Sequence, residues 1–491
     1  MRFSSPRLNR AAPSCASAQG RGSGRAGWWP LVVIASAHLM AVLDTTVMFV
    51  ALPSLQQGLG MSVTSRQWVV TAYTLALAGF LLTGGRLADR FGARRTLLVG
   101  VAGFACASAI GGASVDGAMI IAARAAQGAF GAVLISSTKS LLVTVYSDED
   151  ERARAMGFFS ATMAAGGAAG LVLGGVLTSA LSWRWCLYMN LALSLVALIG
   201  GPRVLPALRG NKQVHIDLPS VLSAAAGMGG LVYALGEAAS AGWSSTQVIC
   251  SLAVAAVTLT VFVARQIGHT DRLLPLRVVL NRTWGWAMIG LIVNGLSTFG
   301  MMLILTYQLQ SIMGYSALQT GLALVPFALA GLISAALLAP LLMVRIPPRW
   351  LIAASIAVEA AGLVPLIWLT PHSRYLPLVL AATLIEGFGT GVATPATLNT
   401  ALTGVLASDS GAAGAGTSAA SQLGSSTGAA LLNTIAATAT AAYLTLHPTA
   451  GIVTGTVHGF TVAMAWGAAI TLAAALPIAF FVNAKTPARH H

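Results

Sequence analysis

Long apolar runs, separated by short segments that carry charged or turn-forming residues, recur along this chain of 491 residues. A helix needs about 20 apolar residues to cross the hydrocarbon core of a bilayer. The runs lie near residues 30–52, 67–84, 96–115, 118–143, 155–178, 187–201, 217–237, 246–264, 285–308, 319–344, 350–370, 375–401, 412–444 and 458–483. Because a backbone in lipid must satisfy its own hydrogen bonds, the pattern predicts an all-α integral membrane protein with 14 transmembrane helices.

The charged residues support this assignment. They make up only 8% of the chain, whereas a soluble protein carries about a quarter. The net charge of +14 is typical of a nucleic-acid binder, but here the basic residues punctuate the apolar runs. With the N-terminus inside, 22 of the 27 lie on the inner side, three lie outside, and Arg124 and Lys139 fall within the fourth run. This asymmetry predicts cytoplasmic termini in a cell-membrane protein and no nucleic-acid partner.

Motifs for phosphate binding and for zinc-dependent hydrolysis are missing from the sequence. The four cysteines are far apart, and neither a phosphate-binding G-x-x-x-x-G-K-[ST] loop nor H-E-x-x-H occurs. We therefore expect no enzyme activity, no catalytic residue, no metal and no cofactor. A membrane-embedded enzyme stays open only as a remote alternative.

Several ionisable residues lie inside the apolar runs. They include Asp44 in the first, Arg124 in the fourth, Glu359 in the eleventh and Glu386 in the twelfth. Such residues are costly in a bilayer and indicate function by default. At 1.5 Å per residue, Asp44 and Arg124 lie at similar depths from the predicted outer surface.

One loop and its flanking helices carry a recognisable motif. After the second run the chain reads G-G-R-L-A-D-R-F-G-A-R-R. This resembles the signature loop of the major facilitator superfamily, with matches at Gly85, Arg86, Asp89, Arg90, Gly92, Arg94 and Arg95. The resemblance implies a loop in which glycines permit a tight turn and Asp89 caps a helix or pairs with arginines as cytoplasmic surfaces slide.

Further stretches narrow the resemblance to the fourteen-span drug/proton antiporters of that superfamily. They are L-D-T-T-V-M-F-V-A-L-P at 43–53, R-A-A-Q-G at 124–128 and G-A-A-G-A-G-T-S-A-A-S-Q-L-G at 411–424. The antiporter motif G-x-x-x-G-P-x-x-G-G is matched at Gly166, Gly170, Gly174 and Gly175, but Leu171 occupies the proline position.

The resemblance implies two six-helix bundles around a central cavity. An internal echo between L-Q-Q-G-L-G-M-S at 55–62 and L-Q-S-I-M-G-Y-S at 309–316 agrees with two related halves. The expected organisation is a basic tail (1–29), an N-terminal bundle (30–201), a linker with two inserted helices (202–265), a C-terminal bundle (266–484) and a tail (485–491).

Individual roles follow from placing these residues on that fold. Asp44 is expected to titrate as the proton carrier with Arg124 as its intermittent partner, the alternative being a permanent ion pair. Glu386 is a second candidate for proton coupling, or a neutral carboxyl held by hydrogen bonds. Met40, Met48, Gln127 and Gly128 are candidates for the substrate cavity, with ordinary packing as the alternative for the methionines. Glu359 on a peripheral span is expected to make a packing hydrogen bond.

The sequence thus predicts a proton-coupled secondary transporter that exports hydrophobic drugs or antibiotics, cationic ones included, by alternating access. Its partners would be a small-molecule substrate, protons and lipid, and the chain would act as a monomer. The alternative is a dedicated exporter of one endogenous metabolite, such as an antibiotic or siderophore, with proton coupling weakened at Leu171.

Overall fold

A computed structural model describes residues 28–482 of the protein except 147, 208–209, 212–216, 243, 269–277, 279, 404 and 406–409. Within these residues every regular element is helical. The predicted basic tail lies outside them apart from Trp28 and Trp29, and the predicted tail 485–491 lies wholly outside.

The described residues form fourteen helices, some of which contain short π or 3-10 turns. In chain order they are α1 (Trp28–Gly58), α2 (Val63–Phe91), α3 (Ala93–Gly112), α4 (Gly117–Val145), α5 (Glu149–Ala180), α6 (Trp185–Val204), α7 (Leu218–Ala241), α8 (Thr246–Gly268), α9 (Arg282–Ile312), α10 (Ala317–Arg345), α11 (Pro348–Trp368), α12 (Tyr375–Leu402), α13 (Ser410–Leu446) and α14 (Ile452–Phe481).

Eleven of these helices are long and apolar enough to cross a bilayer. Helix α2 is a twelfth if its two segments, bent by 51°, count as one span, while α5 and α7 have shorter apolar stretches at Ala165–Ala180 and Pro219–Leu235. The predicted all-helical membrane fold is confirmed, and the number of fourteen spans stays a prediction.

The outer surface of the helices is apolar. Large aliphatic and aromatic side chains stand exposed there, with Val257 of α8 62% exposed, Leu337 of α10 70% and Phe480 of α14 74%. A water-soluble monomer does not expose so much contiguous apolar surface. In a membrane, lipid tails cover this apolar surface. Trp28 and Trp29, exposed at the start of α1, are of the residue type that is enriched at the bilayer interface.

The helices pack as two groups. Helices α1 to α6 pack chiefly on one another, as do α9 to α14, and the groups meet mainly through α2 with α13 and α5 with α10. We call the end at which α1 begins and α14 ends the terminal end, and the opposite end the far end. The predicted domain limits agree with this grouping but stay a prediction.

Helices α7 and α8 form a hairpin that lies beside both groups, against α2 and α13. Trp68 packs on Tyr233 with ring centroids 5.5 Å apart, and the Thr434 hydroxyl donates to the Leu235 carbonyl at 2.8 Å. At the terminal end Arg265 donates to Asp217, which caps α7. Burial opposes ionisation of Asp217, but hydrogen bonds from Arg265 and Ser220 outweigh it and lower the pKa of this carboxyl.

Helices α2 and α4 cross in close contact at Gly128. A methyl group at Gly128 would overlap the Tyr73 carbonyl and lie 2.9 Å from the Ala76 side chain and 3.0 Å from the Leu77 nitrogen. Small residues permit such backbone contacts between helices in lipid, where dispersion forces hold the pair together. The crossing therefore requires glycine at this position.

Replacing Gly128 with alanine is expected to destabilise the protein, because overpacking against backbone costs about 1–3 kcal/mol. Thermal unfolding of the detergent-solubilised protein would measure the change. Gly285→Ala is the matched control, since a methyl group there meets no atom within 4 Å and alanine favours helix by about 1 kcal/mol. Equal melting temperatures for the two variants would contradict the proposed crossing.

Candidate functional site

A buried carboxylate lies at the middle of α1 and accepts hydrogen bonds from three side chains. Asp44, 1% exposed, forms an ion pair with Arg124 of α4. Its other oxygen accepts from the Gln127 amide at 3.1 Å and from the Asn190 amide of α6 at 2.8 Å. Both carboxyl oxygens of Asp44 therefore have donors, and Arg124 supplies the opposite charge.

Arg124 has its own set of partners. Its Nε donates to the Val69 carbonyl of α2 at 3.0 Å, and its Nη1 donates to Gln127 at 3.0 Å as well as to Asp44. The guanidinium lies over the Tyr73 ring, 4.2 Å from its centroid. Such burial is tolerable because the opposite charge and the hydrogen bonds replace water.

Ser108 of α3 completes the arrangement. Its hydroxyl accepts from Gln127 at 2.7 Å and from Asn190 at 3.2 Å. We call these six side chains on five helices the Asp44 network: Asp44, Tyr73, Ser108, Arg124, Gln127 and Asn190. The structure therefore brings together Asp44 and Arg124, the expected pair, and places the cavity candidate Gln127 beside them.

Sequence reasoning missed Ser108, Tyr73 and Asn190. Asn190 had a usable signal, since it is an uncharged polar side chain inside an apolar run. Such a side chain is expected to seek a partner on another helix. Ser108 and Tyr73 are common in packed helices and gave no such signal.

The other intramembrane acids lie among α9, α11 and α12. Glu386 accepts from Ser297 at 2.8 Å and from Thr298 at 3.4 Å. Glu359 accepts from Asn294 at 2.6 Å, which is the kind of packing hydrogen bond expected for it. The offset that relates Leu55 to Leu309 also relates Asp44 to Thr298, so the second half has a hydroxyl where the first has the carboxylate.

The remaining cavity candidates occupy packed positions. Met40 and Met48 are buried in two different apolar clusters, and Gly128 lies against the backbone of α2. For the methionines, this placement corresponds to ordinary packing, the alternative to a cavity role. A cavity role for these three residues stays a prediction that requires another conformation.

The antiporter-like glycines pack α5 on its neighbours. A methyl group at Gly166, Gly170 or Gly174 would overlap α1, and one at Gly175 would lie 2.6 Å from Leu318 Cα of α10. Leu171 lies at a similar close contact, because a methyl group at Gly321 of α10 would overlap the Leu171 carbonyl. This stripe therefore joins α5 to α1 and to the second half.

The signature loop joins α2 to α3 through one residue. Gly92 has φ +90°, a conformation that favours glycine, and its N–H closes α2 on the Ala88 carbonyl. Arg94 donates to the Leu205 carbonyl after α6 at 3.1 Å, and the Asp89 carbonyl accepts from the Asn211 N–H at 2.8 Å. The loop is thereby held against the segment that follows α6.

The remaining predicted members of the signature loop lie around this turn. Arg86 stands close enough for its charge to act on the Asp89 carboxyl. Gly85 has open space beside it, and Arg90 and Arg95 flank Gly92 near the end of α2 and the start of α3. The structure thus places all the predicted loop residues at the terminal end, and their conformational role stays a prediction.

At the far end several contacts bridge the two helix groups. The Arg66 guanidinium of α2 lies 3.5 Å from the Tyr307 ring centroid of α9, and its Nη1 donates to Gln56 at 2.9 Å. Gln310 donates to the Val50 carbonyl at 2.9 Å. We call Gln56, Arg66, Tyr307 and Gln310 the far-end latch.

Toward the terminal end, Lys139 of α4 donates to Ser418 of α13 at 3.1 Å. Its side chain therefore contacts the other helix group. Nearer mid-depth, Ser426 donates to Thr74 at 2.6 Å. The halves are thus held together at several depths.

Comparison with known proteins gives consistent results. The Major Facilitator Superfamily matches residues 34–431. The chain is 42% identical over 466 residues to the puromycin resistance protein pur8 of Streptomyces alboniger, covering 94% of this chain and 92% of that protein. It is 38% identical to the cephamycin export protein CmcT of Amycolatopsis lactamdurans, covering 84% of this chain and 85% of that protein.

A third relative, the multidrug efflux pump LfrA of Mycolicibacterium smegmatis, is 30% identical and covers 83% of this chain and 80% of the pump. The crystal structure of an auto-inhibited peptide transporter of the POT family superposes with a TM-score of 0.66 at 14% identity, covering 94% of this chain and 98% of the transporter. At that identity the likeness shows the fold alone. The fold, the family match and the long alignments agree: the chain is a multi-pass membrane transporter that belongs to the major facilitator superfamily.

Proposed function

We propose that this protein exports hydrophobic drugs or antibiotics, cationic ones included, from the cytoplasm in exchange for protons. The proposal includes fourteen spans, both termini in the cytoplasm, a place in the cell membrane and a monomeric chain. Relatives named for puromycin resistance, cephamycin export and multidrug efflux support the substrate class. The basic residues at the terminal ends of the helices support the orientation.

The observation that carries proton coupling is the Asp44 network. A proton that binds Asp44 removes the negative charge that compensates Arg124, and an uncompensated buried charge is strongly unfavourable. Relief requires Arg124 to move toward water or another acceptor, which changes the contact of α1 with α4. Protonation thereby favours one conformation of the carrier over another, and this differential stability is the coupling.

The far-end latch supports the direction of the cycle. With the far end latched, substrate enters from the terminal end, which is cytoplasmic in this proposal, once the contact of Lys139 with Ser418 there breaks. Opening the latch releases substrate outside and gives protons access to Asp44. The glycine stripe on α5 permits the close contacts with α1 and α10 that this movement would exchange.

The substrate site is proposed at the centre, between α1, α4, α9 and α12. Gln127 supplies a polar group there and Met40 and Met48 an adaptable apolar wall, once α1 and α4 separate from their present neighbours. Gly128 would line the site only if α4 left α2. Glu386 is proposed as a second proton-coupling acid.

The dedicated exporter remains the second candidate. Leu171 is the observation that favours it. The family pattern has proline at this position, and proline assists a helix bend that leucine does not. In that case export is confined to one metabolite and depends less on the pH gradient.

The Asp44→Asn variant tests the proton carrier. In inverted vesicles with an acidified lumen, the wild type should accumulate puromycin, and the variant should fall to the level of vesicles without the transporter, because asparagine does not titrate. Asp116→Asn is the control, since asparagine still caps α4. Gradient-driven uptake by Asp44→Asn at the wild-type rate would overturn the assignment.

A drug panel tests the breadth of export. Expressed in a susceptible host that lacks its own pumps, the protein should lower accumulation of puromycin and of at least one unrelated hydrophobic cation such as ethidium. Collapse of the pH gradient should abolish the effect. Protection against no drug in the panel, with loss of one secreted metabolite on deletion, would favour the dedicated exporter instead.

Removal of the Tyr307 ring should weaken the far-end latch. Tyr307→Leu removes the cation–π contact with Arg66, about 0.5–2 kcal/mol, and should raise the far-end-open population about two- to thirtyfold. Spin labels at Gln57 and Ser311, exposed residues at the far end of each half, would report longer distances. Tyr307→Phe retains the ring and should match the wild type, and equal distances in both variants would contradict the latch.

A further inference from the structure

Helices α11 and α12 share a short pattern that places an acid opposite a glycine. Each contains E-x-x-G, with Glu359 and Gly362 on α11 and Glu386 and Gly389 on α12. A methyl group at Gly362 would lie 2.9 Å from Glu386 Cα, and one at Gly389 would lie 2.7 Å from the Glu359 nitrogen. The packing is reciprocal, so each glycine makes room for the acid of the other helix.

This crossing brings two buried carboxyl groups into one neighbourhood. Both glutamates are 0% exposed, and they are close enough that a negative charge on one opposes a negative charge on the other. Their Oε1 atoms accept from Asn294 and from Ser297. Their Oε2 atoms are buried and have no hydrogen-bond partner among the described residues.

Hydroxyl groups connect the two acids. Thr298 lies 3.4 Å from Glu386 Oε1 and 3.1 Å from the Thr390 hydroxyl, and Thr390 is near enough to Glu359 for its hydroxyl to act on that carboxyl. Both threonines are partly exposed, whereas both acids are sealed. The threonines therefore lie between the sealed acids and the space outside them, where a small movement would let their hydroxyls relay a proton.

No positive charge lies beside these acids in the described part of the helices that surround them. The other charged or titratable side chains on α9 to α14 lie toward the helix ends: Arg282, Tyr307, Arg345, Arg349, Tyr375, Tyr443 and His458. Two ionised carboxylates without a cation would repel each other in a low dielectric. At least one of the two must therefore carry a proton while the site is closed.

We propose that Glu359 and Glu386 form a carboxyl pair that binds and releases protons as one unit, a second proton site distinct from the Asp44 network. Its role in transport rests on the proposed proton-coupled export, to which it adds a second proton-binding event in each cycle. Glu359 thereby changes from a packing residue to a member of the site. The unpaired Oε2 atoms are where the exchangeable proton binds, because protonation there leaves each Oε1 free to accept from its present donor.

Infrared titration of the protein in liposomes tests the pair without substrate or gradient. The carbonyl band of protonated carboxyl groups should disappear in two steps as pH rises, because the second proton leaves against a charged neighbour. Glu359→Gln and Glu386→Gln should each abolish the upper step and leave one acid with a midpoint lower by about one pH unit or more. Glu359→Asp should retain two steps.

Asp44→Asn is the control, and it should leave both steps in place. The proposal is overturned if either glutamine variant merely halves the band at an unchanged midpoint, because the acids would then titrate independently. If the glutamine variants do not fold, the aspartate variants Glu359→Asp and Glu386→Asp decide. Each should retain two steps, and a single step in the wild type or in either aspartate variant would refute the pair. Failure here leaves the Asp44→Asn transport result standing, and the converse also holds.

Discussion

The ion pair between Asp44 and Arg124 is the interaction on which the first helix group depends. Each charge would be untenable alone inside apolar helices, so each fixes the position of the other. Gln127, Asn190 and Ser108 satisfy the remaining donors and acceptors and thereby join α1, α3, α4 and α6. A network in which every member depends on one charge converts a change of protonation into a change of packing.

The two helix groups stabilise their buried acidic side chains in different ways. In the first, a carboxylate on α1 is paired with an arginine on α4. In the second, Thr298 takes the related place on α9, and the acids Glu359 and Glu386 lie on α11 and α12 without a cation beside them among the described residues. The first arrangement stabilises an ionised acid, whereas the second favours a protonated one.

Much of this site was predictable because charged residues are so rare in the apolar runs. Asp44, Arg124 and Glu386 could be selected from the sequence on that ground alone. Ser108 and Tyr73 could not be selected, since serine and tyrosine are common in such helices, and the signal of Asn190 did not reveal its partner. Glu359 was assigned only to packing, because its contact with Glu386 depends on how closely α11 approaches α12.

The sequence by itself determined a helical membrane protein, since lipid permits few other structures for apolar runs of this length and spacing. The transporter fold followed from the resemblance of its motifs to the family. It also determined which residues carry charge at depth. The tertiary structure alone decided which of those charges meet and that Gly128, Gly362 and Gly389 serve helix contacts. The reason is physical: hydropathy is a property of each segment, whereas the rotation and approach of two helices depend on side-chain packing along both.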